Sequence, residues 1–133
     1  MKILFLDIDG VISTARSGWR VDPALLGLLA DTVRKAGASV VLSSSWREDS
    51  LQKTLPFLPS VLRGLITGQT PSLLSGDRSE EIRHYLMTHP AERYAILDDE
   101  DRFPDFQRKH LVLTNPETGL TESNCNDIIH ILN

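Results

Sequence analysis

The sequence predicts an α/β fold: an open parallel sheet with helices on both faces. Three observations carry this. Apolar runs of strand length alternate with segments of helical periodicity, the pattern of successive βαβ units. The strand runs are continuously apolar rather than alternating, as expected where both faces are covered. Three of them end abruptly in polar groups: Asp7 with Asp9, Ser43-Ser44-Ser45, and Asp98 with Asp99. Sheets of this kind bind ligands beyond the carboxyl ends of their strands.

The first strand is the run Ile3 to Leu6, delivering Asp7-Ile8-Asp9-Gly10-Val11. Side chains on a strand repeat every second residue, so Asp7 and Asp9 leave it on the same side. Two carboxylates that close repel each other and resist drying, so a cation or a reaction is expected beside them. The plainer alternative is an ordinary Asp-Gly turn. Ile12 to Arg20 is a small polar loop, in which Trp19 is either a flap over a site or a lid packed on the core. Asp22-Pro23 then reads as an N-cap followed by proline in the first turn. Leu25, Leu28, Leu29 and Val33 follow at helical spacing, Arg34-Lys35 suit the helix dipole, and Gly37 stops the helix.

Ser39-Val40-Val41-Leu42 is the second strand. A helix is expected from Glu48 to Leu55, ended by Pro56. The stretch through Pro59, Gly64, Gly68 and Pro71 is loop-rich, with one short strand near Leu65-Ile66. Asp77-Arg78-Ser79-Glu80 has the form of a capping box opening a helix with Ile82, Tyr85 and Leu86 on one face. Tyr94 to Leu97 and His110 to Leu113 are the last strands. Thr121 caps a closing helix whose inner stripe is Cys125, Ile128, Ile129 and Leu132.

The 133 residues, 41% hydrophobic and 24% charged, are expected to form a single domain over 1–133. A net charge of -4 argues against a general nucleic-acid-binding surface. One cysteine excludes an internal disulfide framework. The amino terminus has neither the form of a signal peptide nor that of a spanning helix, so a cytoplasmic protein without membrane contact is expected.

The fold should bring Asp7, Asp9, Asp98 and Asp99 to one rim with the serine cluster. An oxygen-only acidic set suits magnesium, which keeps several waters and favours substrate phosphate. Zinc is disfavoured, because the cysteine and the four histidines show no ligand spacing. A phosphate substrate also needs a cation and hydroxyl donors for its oxygens; Arg78 and Ser43 or Ser44 are the candidates.

In these residues the chain resembles the haloacid-dehalogenase-like (HAD) superfamily of aspartate-nucleophile phosphohydrolases. Asp7-Ile8-Asp9-Gly10-Val11 is similar to that family's first motif and Val40-Val41-Leu42 with Ser43/Ser44 to the second. Arg78, with Arg83 as the alternative, stands for the basic third, and Ile96-Leu97-Asp98-Asp99 resembles the acidic fourth. Ser44-Ser45-Trp46-Arg47, Arg78-x-x-Glu81-Ile82 and Thr118-Gly119-Leu120-Thr121 further resemble the capless subgroup associated with Swiss Army knife RNA-repair proteins.

The resemblance implies an HAD-like Rossmannoid fold and a phosphatase working through an aspartyl-phosphate. It gives Asp7 the role of nucleophile and Asp9 that of general acid and base. Ser44 or Ser43 and Arg78 would hold the phosphoryl group, with Arg47 widening the basic rim. Mg2+ would be held by Asp7, Asp9 through its backbone carbonyl, and the pair Asp98/Asp99, with Asp99 favoured as the direct ligand. The intervals between motifs leave no room for a cap domain. The expected partner is therefore a large or exposed phosphorylated substrate: an RNA or DNA end, a nucleotide or a phosphoprotein. The alternative is a non-catalytic phosphate- and metal-binding module of the same fold.

Overall fold

The computed structural model describes residues 1–43 and 59–133. Five strands form one parallel sheet: β1 (Lys2–Leu6), β2 (Ser39–Leu42), β3 (Ile66–Gln69), β4 (Arg93–Asp98) and β5 (Leu111–Leu113), in the order β3-β2-β1-β4-β5. The chain winds outward from β1 through β2 to β3, then returns to lay β4 on the other side of β1. The order thus reverses between β1 and β4, whose carboxyl ends carry Asp7 and Asp98.

Helices cover both faces. Leu4, Leu6, Val40, Leu42, Ala95, Leu97 and Val112 pack with α1 (Pro23–Ala36), α2 (Ser60–Leu65) and α5 (Glu122–Leu132). The alternate residues Ile3, Phe5, Val41 and Ile96 pack on the other side, against Ile82 of α3 (Arg78–Thr88) and Phe103. This strict alternation at nearly total burial explains the continuously apolar runs. The short α4 (Asp105–Arg108) lies between β4 and β5.

The local signals act as their chemistry requires. Asp22 caps α1 by accepting from the Ala24 N–H at 2.9 Å, and Gly37 closes it in the left-handed region. The buried stripe of α1 is Leu26, Leu29, Ala30, Val33 and Ala36, with Leu25 and Leu28 only half-buried. Asp77 caps α3 alone, accepting from Ser79 N–H at 2.9 Å and Glu80 N–H at 3.4 Å. Thr121 and Asn124 form the reciprocal capping box of α5. Ser60–Leu65, expected to be loop from Pro59 before it and Gly64 within it, is helical, because Pro59 sets the entry and Leu62 finds a place in the core. The helix expected over Glu48 to Leu55 lies outside the described residues.

Between Asp9 and Ser39 the chain holds one loop and α1, and the interval from β2 to α3 is too short for a domain of about 50 residues. No cap domain is inserted at either place. None of the described helices is long and apolar enough to cross a membrane.

Candidate active site

The ladder of the sheet continues one residue past each strand, and that row holds the site. The Asp7 N–H donates to Leu97 O at 3.0 Å, Ser43 N–H to Leu6 O at 2.8 Å, and Thr70 N–H to Leu42 O at 3.0 Å. With Asp98 closing β4, the row across the sheet reads Thr70, Ser43, Asp7, Asp98. Residues in one row of a parallel sheet face the same way. Here that is the side of Phe5, Val41 and α3. All four are buried.

Past Asp7 the backbone turns sharply. The Ile8 carbonyl accepts from the N–H groups of Val11, Ile12 and Ser13 at 3.1, 3.0 and 3.2 Å. Gly10 is required twice over: its φ is +82°, and a Cβ there would run into the carboxylate of Asp99. The turn is held from the far side of the sheet, where the Thr114 hydroxyl donates to Gly10 O at 2.8 Å. The turn around Gly119 docks on the same loop, its φ being +71° and a Cβ falling 2.6 Å from Val11 O. Asp9 is half-buried beside Ser13. Trp19 is not a core lid: it stands 54% exposed on the loop beyond, with a φ of 59°.

Asp7, Asp98 and Asp99 each offer a carboxylate oxygen, all within 4.8 Å of one another. Burial first, then the charge of Asp98, push the Asp7 carboxyl up to about 8, against the lowering influence of Arg78; a hydrogen bond to Asp99 adds to the rise. Asp98 is also raised by burial, opposed by the Glu100 N–H on Oδ1 at 3.0 Å and by Arg102, whose Nη2 lies 3.5 Å from Oδ2. Both Asp98 oxygens are therefore engaged by the protein. Three carboxyl groups so placed can bind a metal ion, and an all-oxygen set fits a hard divalent cation rather than zinc.

Arg78 supplies the facing positive charge. It opens α3, and its Nη1 donates to the carbonyl oxygen of Ser43 and lies 3.8 Å from Asp7 Oδ1. Glu81, one turn on and buried, holds the guanidinium from behind: Oε1 is 3.6 Å from Arg78 Nε, while Oε2 accepts from Leu73 N–H at 2.9 Å. Arg83 is on the exposed side of the helix, paired with Glu80 at 3.2 Å. The amino end of α3 thus presents a guanidinium and a favourable dipole to the rim.

Among the expected site residues, the structure brings together Asp7, Asp98, Asp99, Arg78 and Ser43, with Asp9 on the adjoining turn. Ser44 and Arg47 lie outside the described residues. Thr70, Arg102 and Thr114 are not among the residues expected at the site, and Glu81 has no expected role there. Glu81 and Arg102 had a local signal, the spacing of three from Arg78 and of four from Asp98; Thr70 and Thr114 depend on the order of strands.

A family model described as the HAD domain in Swiss Army Knife RNA repair proteins matches residues 3–125. No curated protein and no solved structure matches the chain.

Proposed function

The chain belongs to the family of HAD domains found in Swiss Army Knife RNA repair proteins, and from that premise we propose that it is a magnesium-dependent phosphomonoesterase acting through an aspartyl-phosphate. HAD domains are generally hydrolases of phosphate esters. The observation that carries the reading is the setting of Asp7, with the Asp98 and Asp99 oxygens within 4.8 Å and Arg78 Nη1 at 3.8 Å.

Asp7 attacks phosphorus and takes the phosphoryl group, and Asp9 gives a proton to the departing substrate oxygen. Asp9 then takes a proton from the water that cleaves the acyl-phosphate bond, which returns both side chains to their starting states. Arg78 balances the phosphoryl charge throughout, with Glu81 holding its guanidinium at the rim. Ser43 or Ser44 donates to a phosphoryl oxygen, and Arg47 contributes positive charge to substrate binding. Asp7, Asp99 and the Asp9 carbonyl would hold Mg2+, with Asp98 as the partner already bonded to Glu100 and Arg102. Magnesium, when bound, supplies charge that keeps Asp7 ionised and draws electron density from the phosphoryl oxygens.

The 1–133 chain acts as one domain in this reading. Without an inserted cap, the site suits a phosphate carried on a large or exposed substrate: an RNA or DNA end, a nucleotide or a phosphoprotein. The test is hydrolysis of p-nitrophenyl phosphate by purified protein. Turnover is expected with MgCl2, is abolished by EDTA, and is lost in Asp7→Asn. A protein that binds phosphorylated ligands equally well as Asp7→Asn, and turns none over, is a binding module instead.

A further inference from the structure

Two hydroxyls in the buried row have no hydrogen-bond partner among the described residues: Ser43 Oγ and Thr70 Oγ1, on residues 3% and 1% exposed. Buried hydroxyls are nearly always bonded, so a neighbouring pair left open marks a place where something else completes them. They are neighbours by construction. Thr70 N–H bonds to Leu42 O, placing Thr70 beside Ser43 as Ser43 is beside Asp7. A shift in register between Val40 and Val41 on the β3 edge makes this so, since it sets Gly68 against Val41 and Gln69 against Leu42. Without that shift, Gln69 rather than Thr70 would stand beside Ser43.

From this geometry we propose that Thr70 is a phosphate-binding residue, forming with Ser43 a hydroxyl pair that takes one oxygen of the phosphoryl group held at Asp7. Neighbouring strands are about 4.8 Å apart, and two O–H···O bonds of about 2.7 Å meet across that gap at one oxygen. Arg78 stands over the same place, because its Nη1 is bonded to the Ser43 carbonyl. The ligand is thus a tetrahedral oxyanion, with Asp7 and Arg78 on one side and two hydroxyls on the other. This assignment rests on the phosphatase reading above and adds to it a residue from β3.

The experiment compares Thr70→Val and Thr70→Ser with the parent, measuring kcat/KM on p-nitrophenyl phosphate, inhibition by inorganic phosphate, and Tm. Thr70→Val keeps the shape and removes an unpartnered hydroxyl. It is expected to fold with an equal or higher Tm, to bind phosphate about ten- to a hundredfold more weakly, and to lose kcat/KM by a similar factor. Thr70→Ser is expected to stay within a few fold of the parent. Unchanged phosphate inhibition and kcat/KM in Thr70→Val, while Asp7→Asn is inactive, would overturn the assignment and leave the phosphatase reading standing. A lowered Tm in Thr70→Val with normal kinetics would show a structural hydroxyl and overturn it too. A parent that neither turns over substrate nor binds phosphate would sink both readings together.

Discussion

Asp7 costs the metal-free fold stability, and Asp7→Asn measures how much. In the folded protein its carboxyl keeps a proton up to about 8, whereas the ordinary value is 3.8. Between those limits the folded state binds more protons than the unfolded chain, so stability falls as pH rises, by up to about 1.4 kcal/mol per pH unit. At pH 7 the accumulated cost is on the order of 4 kcal/mol. Asparagine has nearly the same shape and nothing to ionise, so Asp7→Asn removes this pH-dependent cost. Asp98, also raised by burial, adds a slope of the same sign to both proteins, and the difference between them reports Asp7 together with its coupling to Asp98. Urea unfolding in EDTA from pH 5 to pH 7 is the assay. The stability advantage of Asp7→Asn is expected to grow by about 3 kcal/mol over those two units. Saturating MgCl2 should offset much of that advantage, because a cation at 100 times its dissociation constant adds about 2.7 kcal/mol to the protein that binds it. Parallel pH–stability curves for the two proteins would refute the claim that burial holds the Asp7 carboxyl well above its ordinary value.

Removing the facing cation should be felt in chemistry first: Arg78→Ala is expected to lower kcat/KM by about a hundred- to a thousandfold, while Arg83→Ala changes it less than twofold. Steady-state kinetics of the pair decides between them. Gly10→Ala must fit a methyl group against Asp99 in a left-handed backbone, so it is expected to lose about 1–3 kcal/mol by urea unfolding together with Mg2+ binding by calorimetry. Thr114→Val breaks the bond to Gly10 O across the sheet; about 1 kcal/mol of stability should go, with a fall in kcat larger than the change in KM. Asp99→Asn should weaken Mg2+ binding more than Asp98→Asn, since both Asp98 oxygens already have protein partners.

The fold and half of the site could be read from local patterns, because each depends on residues close together in the chain. Ile3 to Leu6 announces a strand covered on both faces, and the acids that follow it have no apolar role. Asp22-Pro23 and Gly37 bracket α1 by backbone chemistry alone. Arg78 could be placed at a helix start because Asp77 caps that helix. Thr70 could not be found in this way. It follows a glycine-containing strand in a turn-rich stretch, and its importance comes from β3 lying beside β2 with a shifted register. Thr114 is likewise an ordinary threonine after a strand until β5 is placed next to β4, within reach of the Gly10 carbonyl. Ser60–Leu65 is obscured because Pro59 before it and Gly64 within it speak for loop, while the burial of Leu62, which decides the matter, is a tertiary fact. Trp19 had two readings, and only its exposure chooses against the lid.

The most direct test follows the phosphoryl group itself. Parent protein turning over a phosphomonoester with Mg2+ is quenched, reduced with borohydride, which traps acyl phosphates, and mapped by peptide mass spectrometry. The expected result is a single modified residue, Asp7, absent from Asp7→Asn. Modification at Ser43 or another hydroxyl, or steady turnover with Asp7 never modified, would contradict nucleophilic attack by Asp7.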